Sequence, residues 1–148
     1  MTDKKKTKKR NDIPRTRCNG EWTEARYISF VKSALRGARW PEKYRAVNLA
    51  FVEHGINPAT GRKCKLHKCS VCGNLFPQNA VQADHIVPVV GSEGFVSWDR
   101  FIQRLFCPAK GFQVVCKKCH NEITKIERTE RAALRAGEVS VNSETQTH

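Results

Sequence analysis

Apolar residues recur along this chain with two different periods, and the change of period divides it into elements. Tyr27, Phe30, Val31, Ala34 and Leu35 return every three or four positions, the spacing of a helix with one apolar face. Thr23 stands where an N-cap would accept a backbone N–H, and Gly37 lies near the expected end. A second helix is expected from Pro41, a good first-turn residue, with Tyr44, Val47, Ala50 and Phe51 inward until Gly55 stops it. Trp40, just before, is placed to staple the turn, and residues 57–61 read as a loop. Residues 80–90 read as a short strand with Val81, Ala83, Ile86 and Val87, halted by Pro88, and residues 91–94 as a turn. Trp98, Phe101, Ile102 and Leu105 predict a short helix within 97–106, and residues 112–115 a second strand. From His120 to about residue 136, Ile123, Ile126 and Ala133 mark a final helix. Trp22, Trp40, Trp98 and the Phe residues read as core rather than base-stacking groups. No internal repeat is visible.

The 148 residues suffice for one compact core with tails. The net charge of +13 is unevenly placed. Residues 1–20 hold eight Lys/Arg against two Asp/Glu, residues 21–68 ten against four, and residues 69–148 nine against eight. A polyanion is therefore expected to meet the N-terminal half. No stretch approaches the roughly 20 apolar residues of a spanning helix, and the Lys-rich N-terminus is not followed by an apolar segment, so neither a membrane nor secretion is expected. A cytoplasmic location follows, and there an odd count of seven cysteines argues against a disulfide framework. Four segments result: a disordered basic tail over 1–20, a helical basic DNA-gripping region over 21–68, a zinc-bearing domain over 69–136 and a disordered polar tail over 137–148.

Three basic groups stand out. Lys32, Arg36 and Arg39 follow at i, i+4 and i+7 and form one ridge, a phosphate contact or a solvated helix face. Arg62, Lys63, Lys65 and Lys68 make a second cluster, and the Lys-rich tail either grips DNA or solubilises.

Cys69-Ser70-Val71-Cys72 and Cys116-Lys117-Lys118-Cys119 are two Cys-x-x-Cys pairs separated by 43 residues. Each short turn aims two sulfurs at one point, and together they supply the four ligands of a closed tetrahedral zinc site. Such a site leaves no open position for water, so this zinc is expected to be structural, joining the start of the first strand to the start of the last helix. Cys18, Cys64 and Cys107 are left over as small buried thiols, and His67 or Cys64 is a minor alternative to a knuckle ligand.

The chemistry must then lie elsewhere. Ala83-Asp84-His85-Ile86-Val87-Pro88 falls between the knuckles, and His120 directly follows the second. Asp84 and His120 are suited to hold a hard divalent cation, and His85 to take a proton from attacking water. Neighbours on a strand point to opposite faces, so only one of Asp84 and His85 is expected to be a ligand.

The run Asp84-His85-Ile86-Val87-Pro88, then Gln113-Val114-Val115-Cys116-Lys117-Lys118-Cys119-His120 with Thr124 four residues on, resembles the HNH (ββα-metal, His-Me finger) endonuclease family. The two zinc knuckles around an Asp-His pair are similar to phage recombination endonucleases. Residues 27–41 and an insert over 95–107 are similar to HNH proteins of tailed phages. The motif resemblance covers about residues 69–127 and a weaker one about 22–135. It implies Asp84 and His120 as ligands of the catalytic cation, His85 as general base, and products with 5′-phosphate and 3′-hydroxyl ends. Two positions depart from the family pattern: Gly111 stands where an Asn usually orients the base, and the Lys of the usual His-x-x-Lys-Thr ending is missing from His120-Asn121-Glu122-Ile123-Thr124. A neighbour must then brace His85, Lys125 or Arg128 would approach the scissile phosphate, and Asn121 is a minor candidate ligand.

The expectation is an α+β protein, a ββα-metal nuclease core with a four-cysteine zinc site, preceded by two helices. Its expected activity is hydrolysis of DNA phosphodiester bonds with structural Zn²⁺ and Mg²⁺ or another divalent cation. DNA is the expected partner, with phage packaging or replication proteins as further ones, and the chain is expected to act as a monomer or weak dimer, in the host cytoplasm if phage-encoded. The alternatives are a non-catalytic zinc-stabilised nucleic-acid-binding protein and an accessory of a phage packaging machine.

Overall fold

Four helices and three small antiparallel sheets form a mixed α+β chain in the computed structural model, which describes residues 13–141. The strands are β1 (Arg15–Arg17), β2 (Trp22–Thr23), β3 (Phe51–Ile56), β4 (Lys63–Lys68), β5 (Leu75–Pro77), β6 (Val81–His85) and β7 (Phe112–Cys116). The helices are α1 (Glu24–Arg36), α2 (Pro41–Leu49), α3 (Trp98–Leu105) and α4 (Lys117–Val141). Two compact units meet in sequence at Arg39 and Trp40, upstream of the expected boundary at 68/69. Among the described residues no helix is long and apolar enough to cross a membrane.

In the first unit, β1 and β2 pair and lead directly into α1. Thr23 Oγ1 accepts the Arg26 N–H at 3.3 Å and Gly37 closes the helix, as the sequence predicts. Residues 15–17, expected to be disordered, are instead a strand, because Arg17 is anchored. Its Nε and Nη2 donate to the two Glu24 carboxylate oxygens at 2.6 and 2.9 Å, and its guanidinium lies 4.9 Å from the Tyr27 ring centre. Residues 1–12 of that expected tail lie outside the described residues, as do 142–148 of the expected polar tail, whose residues 137–141 instead belong to α4. No residue of α1 is buried; Tyr27, Ile28, Val31 and Leu35 are half-buried, while Phe30 and Ala34 are exposed.

In the second unit, α2 ends at Leu49, and its expected continuation up to Gly55 is replaced by a strand over Phe51–Ile56. The strand-favouring Phe51 and Ile56 pair with β4, with Val52 at a break in the register, so the whole of 21–68 is not helical. Lys63–Lys68 is the centre of the sheet β3-β4-β5. The buried residue of α2 is Ala46, whereas Tyr44 and Phe51, expected inward, are exposed. A small side chain there lets α2 lie close to the hairpin of β6 and β7.

That hairpin organises the site. Val81 pairs with Cys116, Ala83 with Val114, and His85 with Phe112. Alternation sends Ala83 and Phe112 to one face, where they meet Ala46, Ala109, Trp40 and Cys107. Val115 points the other way, into a cluster with Cys69, Cys116, Cys119, Phe76 and Ile123. Between the strands, α3 is capped by Ser97, whose hydroxyl accepts the Arg100 N–H at 3.2 Å, and buries Phe101 and Leu105. Trp40 does more than staple a turn: its Nε1–H donates to the Cys107 carbonyl at 2.7 Å, fastening the end of the α3 connection to the start of α2.

Candidate metal centre and active site

The first knuckle is the turn between β4 and β5, where Gly73 takes φ of +74°, a conformation open to glycine without strain. The second is the junction of β7 with the first turn of α4. The sulfurs of Cys69, Cys72, Cys116 and Cys119 all lie within 4.8 Å of one another, so the four can hold a zinc ion. Their protonation suits a dication. Burial alone would raise the Cys69 thiol, but backbone N–H groups of Cys72, Cys116 and Val71 outweigh it and bring it to about 6. Cys119, bonded to the Cys116 sulfur and desolvated, is pushed up to about 12. Four thiolates cannot coexist this closely without a cation among them. His67, fully buried and pushed down by that burial, is not part of the group, nor is Cys64. Of the cysteines outside it, Cys18 is exposed and Cys64 and Cys107 are half-buried, which corrects the expectation of buried thiols.

Asp84 and His85 occupy the last two positions of β6 and take different partners. Asp84 faces α4, where its Oδ1 lies 3.8 Å from His120 Nε2, and Gln113, opposite it in the ladder, donates its Nε2–H to Oδ2 at 3.3 Å. The Asp84 and His120 side chains keep 20% and 33% of their surface exposed, so both can reach a ligand from solvent. His85 lies on the opposite side of the strand, its ring 4.6 Å from that of Phe112, with Nε2 bonded to the Leu105 carbonyl at 3.0 Å. A carbonyl only accepts, so Nε2 carries the hydrogen and Nδ1 is left as the basic nitrogen.

Gly111 is explained by packing. A Cβ there would meet Cys107 Sγ at 2.7 Å and Cys107 Cβ at 3.0 Å, so no Asn fits. Its carbonyl accepts the Ile86 N–H at 3.0 Å, extending the hairpin by one bond. The brace that a side chain at 111 does not supply comes from the last residue of α3. Sequence reasoning missed the roles of Leu105 and Gln113. The Gln113 bond was open to inference from the Asp84 pairing in the hairpin, whereas a backbone carbonyl 20 residues away leaves no side-chain signal.

Lys32 is half-buried and Arg36 exposed on α1, but Arg39 lies beyond its C-cap, so the three do not form one helical ridge. Arg62, Lys63, Lys65 and Lys68 are all exposed. On β4, alternation puts Lys63 and Lys65 on one face and Lys68 on the other. Lys125 Nζ donates to Glu122 Oε1 at 3.0 Å, and Arg128 and Asn121 are exposed on the same groove of α4. The Thr124 hydroxyl donates to the His120 carbonyl at 3.0 Å.

Comparison with protein-family models, curated proteins and solved structures finds no match.

Proposed function

We propose that this chain is a metal-dependent DNA endonuclease of the HNH kind, with β6, β7 and α4 as its ββα-metal core. The observation that carries this reading is the convergence of Asp84 Oδ1 and His120 Nε2 at 3.8 Å, with the next residue on the strand, His85, held through its Nε2 by the Leu105 carbonyl. A carboxylate oxygen and an imidazole nitrogen, with solvent beside them, suit one divalent cation such as Mg²⁺. When bound, that cation supplies charge stabilisation to the phosphoryl and leaving oxygens. Gln113 occupies Oδ2 of Asp84 and leaves Oδ1 for the cation. The Leu105 carbonyl fixes the tautomer and ring plane of His85, so Nδ1 can accept a proton from water as the water oxygen bonds to phosphorus. The bond from phosphorus to the 3′ oxygen then breaks, the departing oxygen takes a proton from solvent water, and a 5′-phosphate and a 3′-hydroxyl are left. Zinc held by the four cysteines would fix the His120 end of α4 against the hairpin, and basic side chains would contact phosphates.

Supercoiled plasmid incubated with the zinc-loaded chain should relax to open circles with Mg²⁺ and stay intact without it. Tight DNA binding with no Mg²⁺-dependent nicking would overturn the endonuclease and leave a zinc-stabilised binding protein.

A further inference from the structure

The loop from β6 to α3 lies beside a cavity of about 260 Å³ that neither the four-cysteine cluster nor the Asp84–His120 pair uses. Three guanidinium groups line it. Arg104 Nη1 donates to the Pro88 carbonyl at 3.2 Å and lies 3.5 Å from Glu93 Oε1. Arg100 Nη2 lies 2.7 Å from that same oxygen. Arg131 Nη2 donates to the Val90 carbonyl at 3.3 Å, and its Nε is buried with no hydrogen-bond partner. One carboxylate oxygen thus serves two arginines, and the third keeps an unmet donor.

We infer that this cavity is a seat for one phosphodiester group of the DNA backbone, held by Arg100, Arg104 and Arg131, two of which the Glu93 carboxylate engages in the DNA-free chain. The inference rests on the reading that the chain binds DNA. Guanidinium forks match phosphate oxygens better than any other side chain, and a diester offers more acceptor positions than Glu93 does. The charges also match. Arg100, Arg104 and Arg131 face Glu93, Glu127 and Glu130 around the cavity, and a carboxylate and a diester each carry one negative charge. Exchanging one for the other preserves the balance, and Glu127 and Glu130 oppose a more highly charged anion.

Glu93 is built to leave. It sits in a tight turn closed by the Gly94 N–H on the Gly91 carbonyl at 3.1 Å, with Gly94 at φ of +83°. A Cβ on Gly91 would run into the Glu93 carboxylate, so glycine at 91 is what lets that carboxylate fold inward. Its own backbone N–H, and then Arg100 and Arg104, hold the Glu93 carboxyl below the usual carboxylate range despite some desolvation. It is therefore a charged stand-in at neutral pH. Arg131 falls on the same face of α4 as His120, 11 residues on and about 16 Å along the axis. That span corresponds to about five base steps of duplex, so the seat would hold a strand well away from the cut.

The test measures binding of the zinc-loaded full chain to a short mixed-sequence duplex across a NaCl series without Mg²⁺. Glu93→Gln removes the charge, and Gly91→Ala displaces the carboxylate without removing it. Both should tighten binding about 3- to 10-fold with the log–log salt slope unchanged, because one phosphate is seated with or without the Glu93 carboxylate. Adding Arg104→Ala should abolish both gains. Unchanged or weaker binding in both variants overturns the seat, as does a gain that survives Arg104→Ala. A second arm titrates inorganic phosphate at matched ionic strength. A response there with DNA affinity unmoved overturns the assignment to the DNA backbone. Wild-type nicking with Mg²⁺ reads the endonuclease separately. A chain that shows the gains but never nicks keeps the seat and loses the enzyme, and one that nicks with flat variants does the reverse.

Discussion

At residue scale, two adjacent side chains on one strand have been given different tasks by their partners. Asp84 meets His120 and Gln113, while His85 meets Phe112 and the Leu105 carbonyl. His85→Ala should therefore lower Mg²⁺-dependent nicking by about 10² to 10⁴. Zinc content should be unchanged and the melting temperature only slightly lower, since the imidazole is half-buried where it meets Phe112; near wild-type turnover would remove His85 as the base. Gly111→Asn, which restores the side chain usual in the family, should destabilise by about 1–3 kcal/mol in urea unfolding, because its Cβ overlaps Cys107. A neutral result would mean that Cys107 can move aside. Asp84, His85 and His120 stood out in the sequence as candidates because few residue types suit such chemistry. The brace on His85 was not, because any residue at 105 offers a carbonyl.

At the scale of elements, the hairpin, α3 and α4 follow from hydrophobic period and caps, although β6 stops five residues short of the expected end at 90 and α4 runs five beyond 136. The segment over 51–56 did not. Ala50 and Phe51 fit the helical spacing of α2, yet pairing with β4 through the turn at 57–61 prevailed. Local period cannot register a partner strand still to come in the sequence. The knuckles were legible from spacing alone, since Cys-x-x-Cys carries its own geometry. Cys69→Ser and Cys116→Ser should each lower bound zinc, read by metal analysis, and broaden or abolish cooperative melting, because metal binding and folding are one equilibrium in such a site. A fully folded, zinc-free double variant would contradict this.

For the whole molecule, composition led to the expectation of a polyanion partner but could not place the individual cations. Arg39 off the helix and Lys68 on the opposite face of β4 break both clusters that the sequence suggested. The combined change Lys32→Ala, Arg36→Ala and Arg39→Ala should flatten the salt slope of DNA binding by about 0.9 for each phosphate no longer gripped, alike on all sequences. Nicking at saturating DNA should persist; an unchanged slope would make those cations a solvated face. The connection between the strands of the hairpin has a bearing on how the proposed nuclease could be shortened. Its final residues supply the Leu105 carbonyl to His85 and the Cys107 carbonyl to Trp40, while Arg100 and Arg104 sit on the same helix. A miniaturised chain joining Ile86 to Gly111 by a bare turn would retain every metal ligand named above. Its histidine would be free to rotate, so on the proposed mechanism such a chain should bind metal as the full-length one does and turn over poorly.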